Sequence, residues 1–475
     1  MFYYKTKYYN LGKGVGRNDM KAKKLEGAKE NRAITDGILS KELIVFAIPI
    51  MIGTLFQQFY NMIDAIIVGR FVGKEALASV GGSTSQIVGL VLGFFIELSS
   101  GAAVVIAQYY GAKNRKELSN ALHTAVTFCF ISGSILSVIG YIGTPVFLTW
   151  MGTPEDTMDG SIAYLKIYFL GIIFTFLYNV GSAILRAVGD SKRPLYYLMV
   201  CCVVNTILDL ILVLVFHMGI YGVAIATVFS QAVSAVLVFA ALLKTKDTYK
   251  LKIKNMTICS KSLFEILKIG VPMGMQALMY SGSNVVIQIA INRLGTDTVA
   301  AWTMFTKIDA FYWMVLTGFG IAITTFAGQN YGAGKYRRVV ESVSVCVRLT
   351  LVVSIGMSIF FFIFGENLFD LFTKDGNVID IGIEILRYMA PAYSLFVFIE
   401  IYSGALRGMG DVVIPTIMTC CGICIFRVLW IWFVVPIHPA IEVVTLSHPI
   451  SWGVTALLYI VYWTRKKKQL IEMSS

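Results

Sequence analysis

Charged residues inside apolar segments are the part of this sequence that could do chemistry. Among those in stretches long and apolar enough to cross a bilayer are Asp64, Glu97, Asp209, Lys307, Asp309, Glu400 and Arg427. On insertion scales, a charged side chain at the bilayer centre costs roughly 2.5–3.5 kcal/mol. Each of these residues must therefore face protein or water, and each is a candidate for function.

The acidic residues of the first half have oxygen-bearing neighbours at informative spacings. Asp64 lies fifteen residues after Pro49, and Asp209 lies four residues after Asn205, so Asn205 and Asp209 share a helical face. Thr227 lies in the next apolar segment. Together these residues offer the hard oxygen ligands that a sodium ion or a proton would use. Because burial disfavours a charged carboxylate, protonation can serve as a coupling event.

Structural interpretations exist for each of these residues. Asp64 could be satisfied by Arg70 near the end of its segment, and Asp209 could hydrogen-bond across helices. Asn205 and Thr227 are residue types that commonly hold membrane helices together. We favour a functional role for the two aspartates because of the cost of placing a carboxylate in the membrane.

The remaining intramembrane charges have other interpretations. Glu97 lies either on a transport pathway or where its helix meets water. Lys307 and Asp309 are expected to neutralise one another, and Glu400 is expected to form a structural ion pair with Arg427. Aromatic and sulfur side chains, by default packing groups, would also suit a flat organic cation: Phe56, Tyr60, Tyr178, Met275, Met279, Tyr280, Trp302 and Trp313.

Composition identifies the elements that must position these residues. Only 14% of the 475 residues are charged, 57% are hydrophobic, and the mean hydropathy is +0.72, whereas soluble domains carry about 25% charged residues. The pattern predicts an all-α integral membrane protein with twelve transmembrane helices. The predicted spans are 42–69, 76–108, 120–146, 161–186, 194–217, 220–243, 263–292, 298–328, 339–364, 379–405, 412–436 and 447–464.

The two halves of the chain repeat one another. Gln108-Tyr-Tyr-Gly-Ala112 returns as Gln329-Asn-Tyr-Gly-Ala333, and Arg186-Ala-Val-Gly-Asp190 returns as Arg407-Gly-Met-Gly-Asp411, both at an interval of 221 residues. An even number of spans in each half makes this a parallel repeat, which is typical of secondary transporters. We predict a first lobe at 41–243, a linking loop at 244–262 and a second lobe at 263–464.

Basic residues determine the predicted orientation. Lysine and arginine collect in one set of connections, including Lys113, Arg115 and Lys335, which the positive-inside rule assigns to the cytoplasm. The segments 1–40 and 465–475 are then basic cytoplasmic tails, and the first is expected to be mobile. The net charge of +12 follows from this topology, so no nucleic-acid partner is expected. We expect a multi-pass protein of the inner or plasma membrane that functions as a monomer.

These residues and motifs resemble the multidrug and toxic compound extrusion (MATE) transporters of the multidrug/oligosaccharidyl-lipid/polysaccharide (MOP) flippase superfamily, along essentially all of 41–464. The resemblance rests on the early proline of both halves, the run Gly73-Lys-Glu-Ala-Leu-Ala78 and the two duplicated motifs. It implies a fold of two six-helix lobes and efflux of organic cations, driven by entry of H⁺ or Na⁺.

The resemblance also implies site residues. In the prokaryotic damage-inducible (DinF-like) branch, the first-lobe site matches the spacings of Asp64, Asn205, Asp209 and Thr227, with Asn179 nearby, and these residues would bind H⁺ or Na⁺. The sodium-type branch places a glutamate where this chain has Tyr280, which argues against a site of that kind in the second lobe. The second-half counterparts of Asn205 and Asp209 are Phe426 and Trp430.

Two other function classes would need residue patterns that the apolar spans do not provide. A lipid-linked oligosaccharide flippase of the same superfamily would need several cationic residues lining the cavity, and only Arg427 and Lys307 lie deep in the spans. A membrane-embedded transferase would need clustered acidic motifs that bind magnesium, and the spans contain no Asp-x-x-Asp pair. The chain lacks a phosphate-binding loop, so we expect a carrier that is not an enzyme and needs no cofactor beyond its coupling ion.

Overall fold

The computed structural model describes residues 33–474, and within this range the long elements are all helices. Most of the predicted amino-terminal tail, residues 1–32, lies outside the described residues. Twelve long helices follow in chain order: α1 Leu39–Val72, α2 Lys74–Gly111, α3 Arg115–Trp150, α4 Glu155–Ala187, α5 Lys192–Val215, α6 Gly219–Lys244, α7 Ser260–Asn292, α8 Thr296–Gly332, α9 Tyr336–Asp370, α10 Gly376–Gly408, α11 Val413–Phe433 and α12 Ile441–Glu472.

Eleven of these helices are both long and apolar enough to span a membrane, and α7 is the exception. It is 33 residues long, but its middle carries Gln276, Ser281, Ser283 and Asn284. These polar residues lower its hydropathy without shortening it. The predicted all-α membrane protein with twelve transmembrane helices is confirmed, and α7 is the least apolar of the twelve.

The helices form two six-helix lobes, and one helix of each lobe packs against the other lobe. Helix α7 crosses α2, where Gly101 and Gly270 bring the two backbones into contact. In the equivalent crossing, α1 packs on α8, and Gly318 leaves room for the side chain of Met51. Small residues at a crossing allow close helix approach in membranes. The first helix of each lobe therefore lies against the second helix of the other lobe.

Each lobe has its own hydrophobic core, and each core includes residues from a helix of the other lobe. The core of α8 to α10 includes Leu43 and Phe46 from α1, while the first-lobe core includes Ile266 and Ile269 from α7. On the outside, α3 exposes Ile135, Val138, Ile139 and Ile142 on one face. Such a continuous apolar face is suited to lipid.

The tails and the linking loop have more structure than the sequence pattern indicated. Ile34, inside the predicted mobile tail, is buried in the second-lobe core, and Lys335 forms an ion pair of 2.6 Å with Asp36. The predicted carboxy-terminal tail is helical as far as Glu472 because α12 continues. The loop between the lobes is anchored on α3, where His123 Nε2 accepts a hydrogen bond from the backbone N–H of Lys252 at 3.0 Å.

We call the end of the molecule that carries the two Gln-x-x-Gly-Ala motifs, together with Lys113, Arg115 and Lys335, the basic end. At this end α2 and α8 lie against one another. A side-chain carbon built on Gly111 would lie 2.0 Å from the backbone oxygen of Gln329. The reciprocal distance, from Gly332 to the backbone oxygen of Gln108, is also 2.0 Å. The lobes are therefore closed at the basic end.

Candidate functional site

Two aspartates from separate helices meet inside the first lobe. Asp64 on α1 is 9% exposed, and Asp209 on α5 is 0% exposed. The two carboxyl groups lie close enough to interact electrostatically. Two ionised carboxylates side by side in a buried site repel strongly, so a proton or a cation between them relieves a large electrostatic cost.

Irregular helix geometry accompanies both aspartates. Helix α1 changes to π-helical pairing at Val68–Val72, one turn after Asp64, and α5 does the same at Ile211–Val215, directly after Asp209. The two π segments contact one another. π turns are rare and are frequent at functional sites, since they shift the side chains of a helix relative to a regular register.

Oxygen atoms from α5 and α6 extend the acidic pair. Asn205, one turn before Asp209, is fully buried, and both its amide oxygen and its amide nitrogen lack a hydrogen-bond partner. Both oxygens of Asp209 and Oδ1 of Asp64 are also buried without a donor. Thr227 is buried on α6 and donates its hydroxyl proton to the carbonyl of Val223 at 3.0 Å, which leaves its oxygen free to accept. Buried acceptors without donors are unusual in folded proteins and fit an oxygen-coordinated cation or a bound proton.

Tyrosines complete this site, and Tyr164 and Tyr168 were not among the residues predicted from the sequence. The hydroxyl groups of Tyr60 on α1 and Tyr164 on α4 both lie beside Thr227 and close to Asp64. Tyr168 stacks on Tyr164 at a ring distance of 6.2 Å. Tyr60 stands one turn before Asp64 and was grouped only with the aromatic lining, whereas nothing in the sequence links Tyr164 to the aspartates.

The predicted neighbours Asn179 and Pro49 occupy different settings. Asn179 is half-buried on α4, and its amide donates to the Thr175 carbonyl on the same helix at 2.8 Å, so it is satisfied without the aspartates. Pro49 is buried inside α1. A proline within a helix leaves one backbone carbonyl without its usual donor, so α1 has a weak point between its start and Asp64.

The predicted local pair of Lys307 and Asp309 is wrong. Lys307 is exposed, whereas Asp309 is buried, and its two oxygens accept hydrogen bonds from Tyr393 Oη and Trp313 Nε1, both at 2.6 Å. Residues two apart on a helix do not share a face, so the charges cannot meet. Asp309 is held by neutral donors.

The predicted ion pair of Glu400 with Arg427 is also wrong. Glu400 pairs with Arg407 on its own helix, at 3.3 Å. Arg427 donates from Nε to the hydroxyl of Ser451 at 3.2 Å and lies over the ring of Trp452 at 5.7 Å. Residues seven apart lie on one helical face, which is why Arg407 and not Arg427 meets Glu400.

Glu97 lines a cavity formed mostly by residues of the second lobe, which we call the second-lobe cavity. Glu97 is half-buried on α2 and lines a space of about 310 Å³ together with Glu400 and Arg407 of α10. Glu97 therefore faces an internal cavity, and its role on a transport pathway stays a prediction.

Comparisons with known proteins agree with this architecture. A sequence model of the MatE family matches residues 49–211 and a second time residues 272–433, once in each lobe. The probable multidrug resistance protein YoeA of Bacillus subtilis (strain 168) is 30% identical over 444 residues, covering 91% of this chain and 96% of the relative. The probable multidrug resistance protein NorM of Thermotoga maritima is 26% identical over 386 residues, covering 80% and 82%.

Solved structures show the same fold. A MOP superfamily transporter from Pyrococcus furiosus superposes with a TM-score of 0.86 at 22% identity, covering 93% of this chain and 99% of that structure. The double family match, the curated relatives and the fold confirm the resemblance inferred from the sequence motifs. The chain therefore belongs to MatE, the multidrug and toxic compound extrusion family, and is a membrane transporter, not an enzyme.

Proposed function

We propose that this protein is a secondary active exporter of organic cations, driven by antiport with H⁺ or Na⁺, and that the coupling ion binds in the first lobe at Asp64, Asn205, Asp209 and Thr227. The observation that carries the proposal is that two buried, interacting carboxyl groups lie among buried polar atoms that lack hydrogen-bond partners. The curated relatives are named multidrug resistance and multidrug export proteins, which supports drug export as the proposed activity.

The chain's own groups suggest how coupling would work. With the ion bound, Asp64 and Asp209 are drawn together, and with the ion absent their repulsion favours separation of α1 from α5. Pro49 gives α1 a point at which it can bend, and the π segments beyond each aspartate provide a second adjustable region. Since α1 packs on α8 of the other lobe, movement of α1 is transmitted to the lobe interface.

The orientation of the protein in the membrane is inferred from the charge distribution. The positive-inside rule assigns the basic end and both termini to the cytoplasm. With the lobes closed at that end, the conformation described here is the one from which substrate would leave to the outside. Alternating access would then require the contacts between α2 and α8 to open.

The decisive experiment is efflux of a fluorescent organic cation from proteoliposomes, with pH and Na⁺ gradients imposed separately. We expect one gradient to drive efflux and Asp64→Asn or Asp209→Asn to abolish the driven component. Asp380→Asn, which removes an exposed carboxylate on α10, is the matched control and should transport normally. Undiminished gradient-driven efflux by Asp64→Asn would reject this coupling site.

The flippase alternative requires cationic groups that converge on a diphosphate. Lys307 is exposed and Arg427 is engaged by Ser451 and Trp452, so the two residues on which that alternative depended do not form such a group. Competition of transport by a lipid-linked sugar, and not by cationic dyes, would reverse this ranking.

A further inference from the structure

The second-lobe cavity has the chemistry of a binding site separate from the acidic pair. Its charged and aromatic lining consists of Glu97, Tyr280, Trp313, Phe396, Glu400 and Arg407, contributed by α2, α7, α8 and α10. Its volume of about 310 Å³ falls within the range of small-molecule sites, roughly 300–1,000 Å³. Glu97 is the one charged lining residue from the first lobe, so the cavity bridges the two lobes.

The charges in this cavity do not cancel. Arg407 donates from Nη2 to Glu400 Oε1 at 3.3 Å, and Glu97 lies within electrostatic range of both groups. Two carboxylates and one guanidinium leave one negative charge among the lining residues. Because Arg407 is tied to Glu400 on its own helix, Glu97 is the carboxylate available to a ligand.

The aromatic walls suit a ligand with delocalised positive charge. Trp313 and Phe396 meet edge to face at 4.7 Å, and the Trp313 indole N–H is held by Asp309 at 2.6 Å. This hydrogen bond fixes the orientation of the indole ring. Tyr280 on α7 adds a third ring to the lining. A cation near such ring faces is attracted by their negative electrostatic potential, most strongly where water is excluded.

The duplication shows that this charge set is specific to one lobe. At the interval of 221 residues, Glu400 corresponds to Asn179, Arg407 to Arg186 and Glu97 to Gly318. Gly318 leaves space that the Met51 side chain occupies, so no carboxylate faces the equivalent position in the other half. The two lobes therefore carry different polar groups. The first has an acidic pair, and the second has a cavity with aromatic walls and one net negative charge among its lining residues.

We propose that this cavity binds monovalent aryl-substituted organic cations and that Glu97 selects their charge. The proposal rests on the proposed efflux function and adds to it that the drug and the coupling ion occupy separate sites. Glu97 contributes the unmatched charge, the Glu400–Arg407 pair fixes the polar wall, and Tyr280, Trp313 and Phe396 provide the ring faces.

Equilibrium binding to the purified protein in nanodiscs, without any gradient, tests the proposal. Tetraphenylphosphonium and tetraphenylborate serve as probes of similar shape and opposite charge. We expect the wild type to prefer the phosphonium, Glu97→Gln to weaken phosphonium binding at least about tenfold, corresponding to about 1.4 kcal/mol, and Glu97→Asp to recover most of the affinity. Glu341→Gln, which removes an exposed carboxylate paired with Arg337, is the matched control and should bind as the wild type does.

Two results would overturn the proposal. Equal phosphonium affinity in the wild type and Glu97→Gln would overturn the assignment of Glu97, as would failure of the wild type to discriminate between the two probes. Since Glu97→Asp keeps the charge and differs by one methylene, its recovery separates charge selection from loss of folding. Proteoliposome efflux judges the transport function independently, so a protein that exports cations but binds them without Glu97 would retain the proposed function and lose this site.

Discussion

The Gln108 side chain donates from Nε2 to the backbone carbonyl of Gly408 at 2.8 Å, across the interface between the lobes. The repeated contact is present on the other side, where Gln329 donates to the carbonyl of Ala187 at 2.7 Å. The two donors and the two acceptors are each 221 residues apart. Each duplicated Gln motif therefore binds the duplicated Arg motif of the opposite lobe, and the pair of contacts holds the basic end closed.

Replacing both glutamines with leucine should open the basic end. Each lost hydrogen bond contributes about 0.5–1.5 kcal/mol net, with a further cost where a carbonyl stays buried without a donor. The measurement is the distribution of spin-label distances between Lys116→Cys and Arg337→Cys, at the starts of α3 and α9, with the eight native cysteines replaced. We expect a longer-distance population to grow in Gln108→Leu/Gln329→Leu.

Gln288→Leu is the control for that experiment. Gln288 is a half-buried glutamine whose amide donates to Asn292 on its own helix at 2.8 Å, so this hydrogen bond does not cross the lobe interface. An unchanged distance distribution in the double variant would show that the Gln contacts do not hold the basic end closed.

Adding a single methyl group at Gly111 should also open the basic end, in this case through a steric clash. A side-chain carbon at this position would lie 2.0 Å from the backbone oxygen of Gln329, a distance that real contacts do not reach. Overpacking costs about 1–3 kcal/mol, and here it is relieved when α2 and α8 separate. We expect Gly111→Ala to lower the thermal unfolding midpoint and to increase the accessibility of the basic end to thiol reagents.

Gly356→Ala provides the comparison, since nothing lies within 4 Å of a carbon added at that helical position. Its midpoint should match or exceed that of the wild type, because alanine is a better helix former than glycine. Normal stability and closure in Gly111→Ala would mean that the crossing is looser than described here.

The Tyr164 hydroxyl should increase the affinity for the coupling ion, although it carries no charge. Its hydroxyl lies beside Thr227 and near Asp64, so Tyr164→Phe removes one hydroxyl from the surroundings of the proposed ion. A loss of about 1 kcal/mol corresponds to roughly fivefold in affinity. The measurement is the ion concentration that gives half-maximal efflux, which should rise about fivefold while the maximal rate is retained.

Tyr168→Phe is the matched control, because the Tyr168 hydroxyl is associated with Thr175 and not with the aspartates. If both variants shift the ion dependence equally, the effect belongs to the stacked tyrosine pair and not to the Tyr164 hydroxyl.

Features that repeat along the chain could be predicted from the sequence, whereas contacts between distant helices could not. Hydropathy and the 221-residue interval lie along the chain, and they were enough to predict twelve helices in two repeats. The spacing of Asn205 and Asp209 likewise placed both on one buried face. Choosing charge partners failed, although helix geometry already argued against the pair of Lys307 and Asp309. The contact of Tyr164 with Thr227 joins α4 to α6 and leaves no signal in a single sequence.

The separation of Asp309 from Lys307 yields a final prediction about stability. Asp309 accepts from both Tyr393 and Trp313, and an asparagine at this position can accept only through its single oxygen. Asp309→Asn therefore leaves one buried donor without a partner, at a cost of about 1–3 kcal/mol. Lys307→Gln alters an exposed side chain and should change stability by less than about 0.5 kcal/mol. Thermal unfolding of both variants in detergent makes the comparison. Equal losses in the two variants would revive the local ion pair, whereas a loss confined to Asp309→Asn supports the neutral hydrogen-bond cage around that carboxylate.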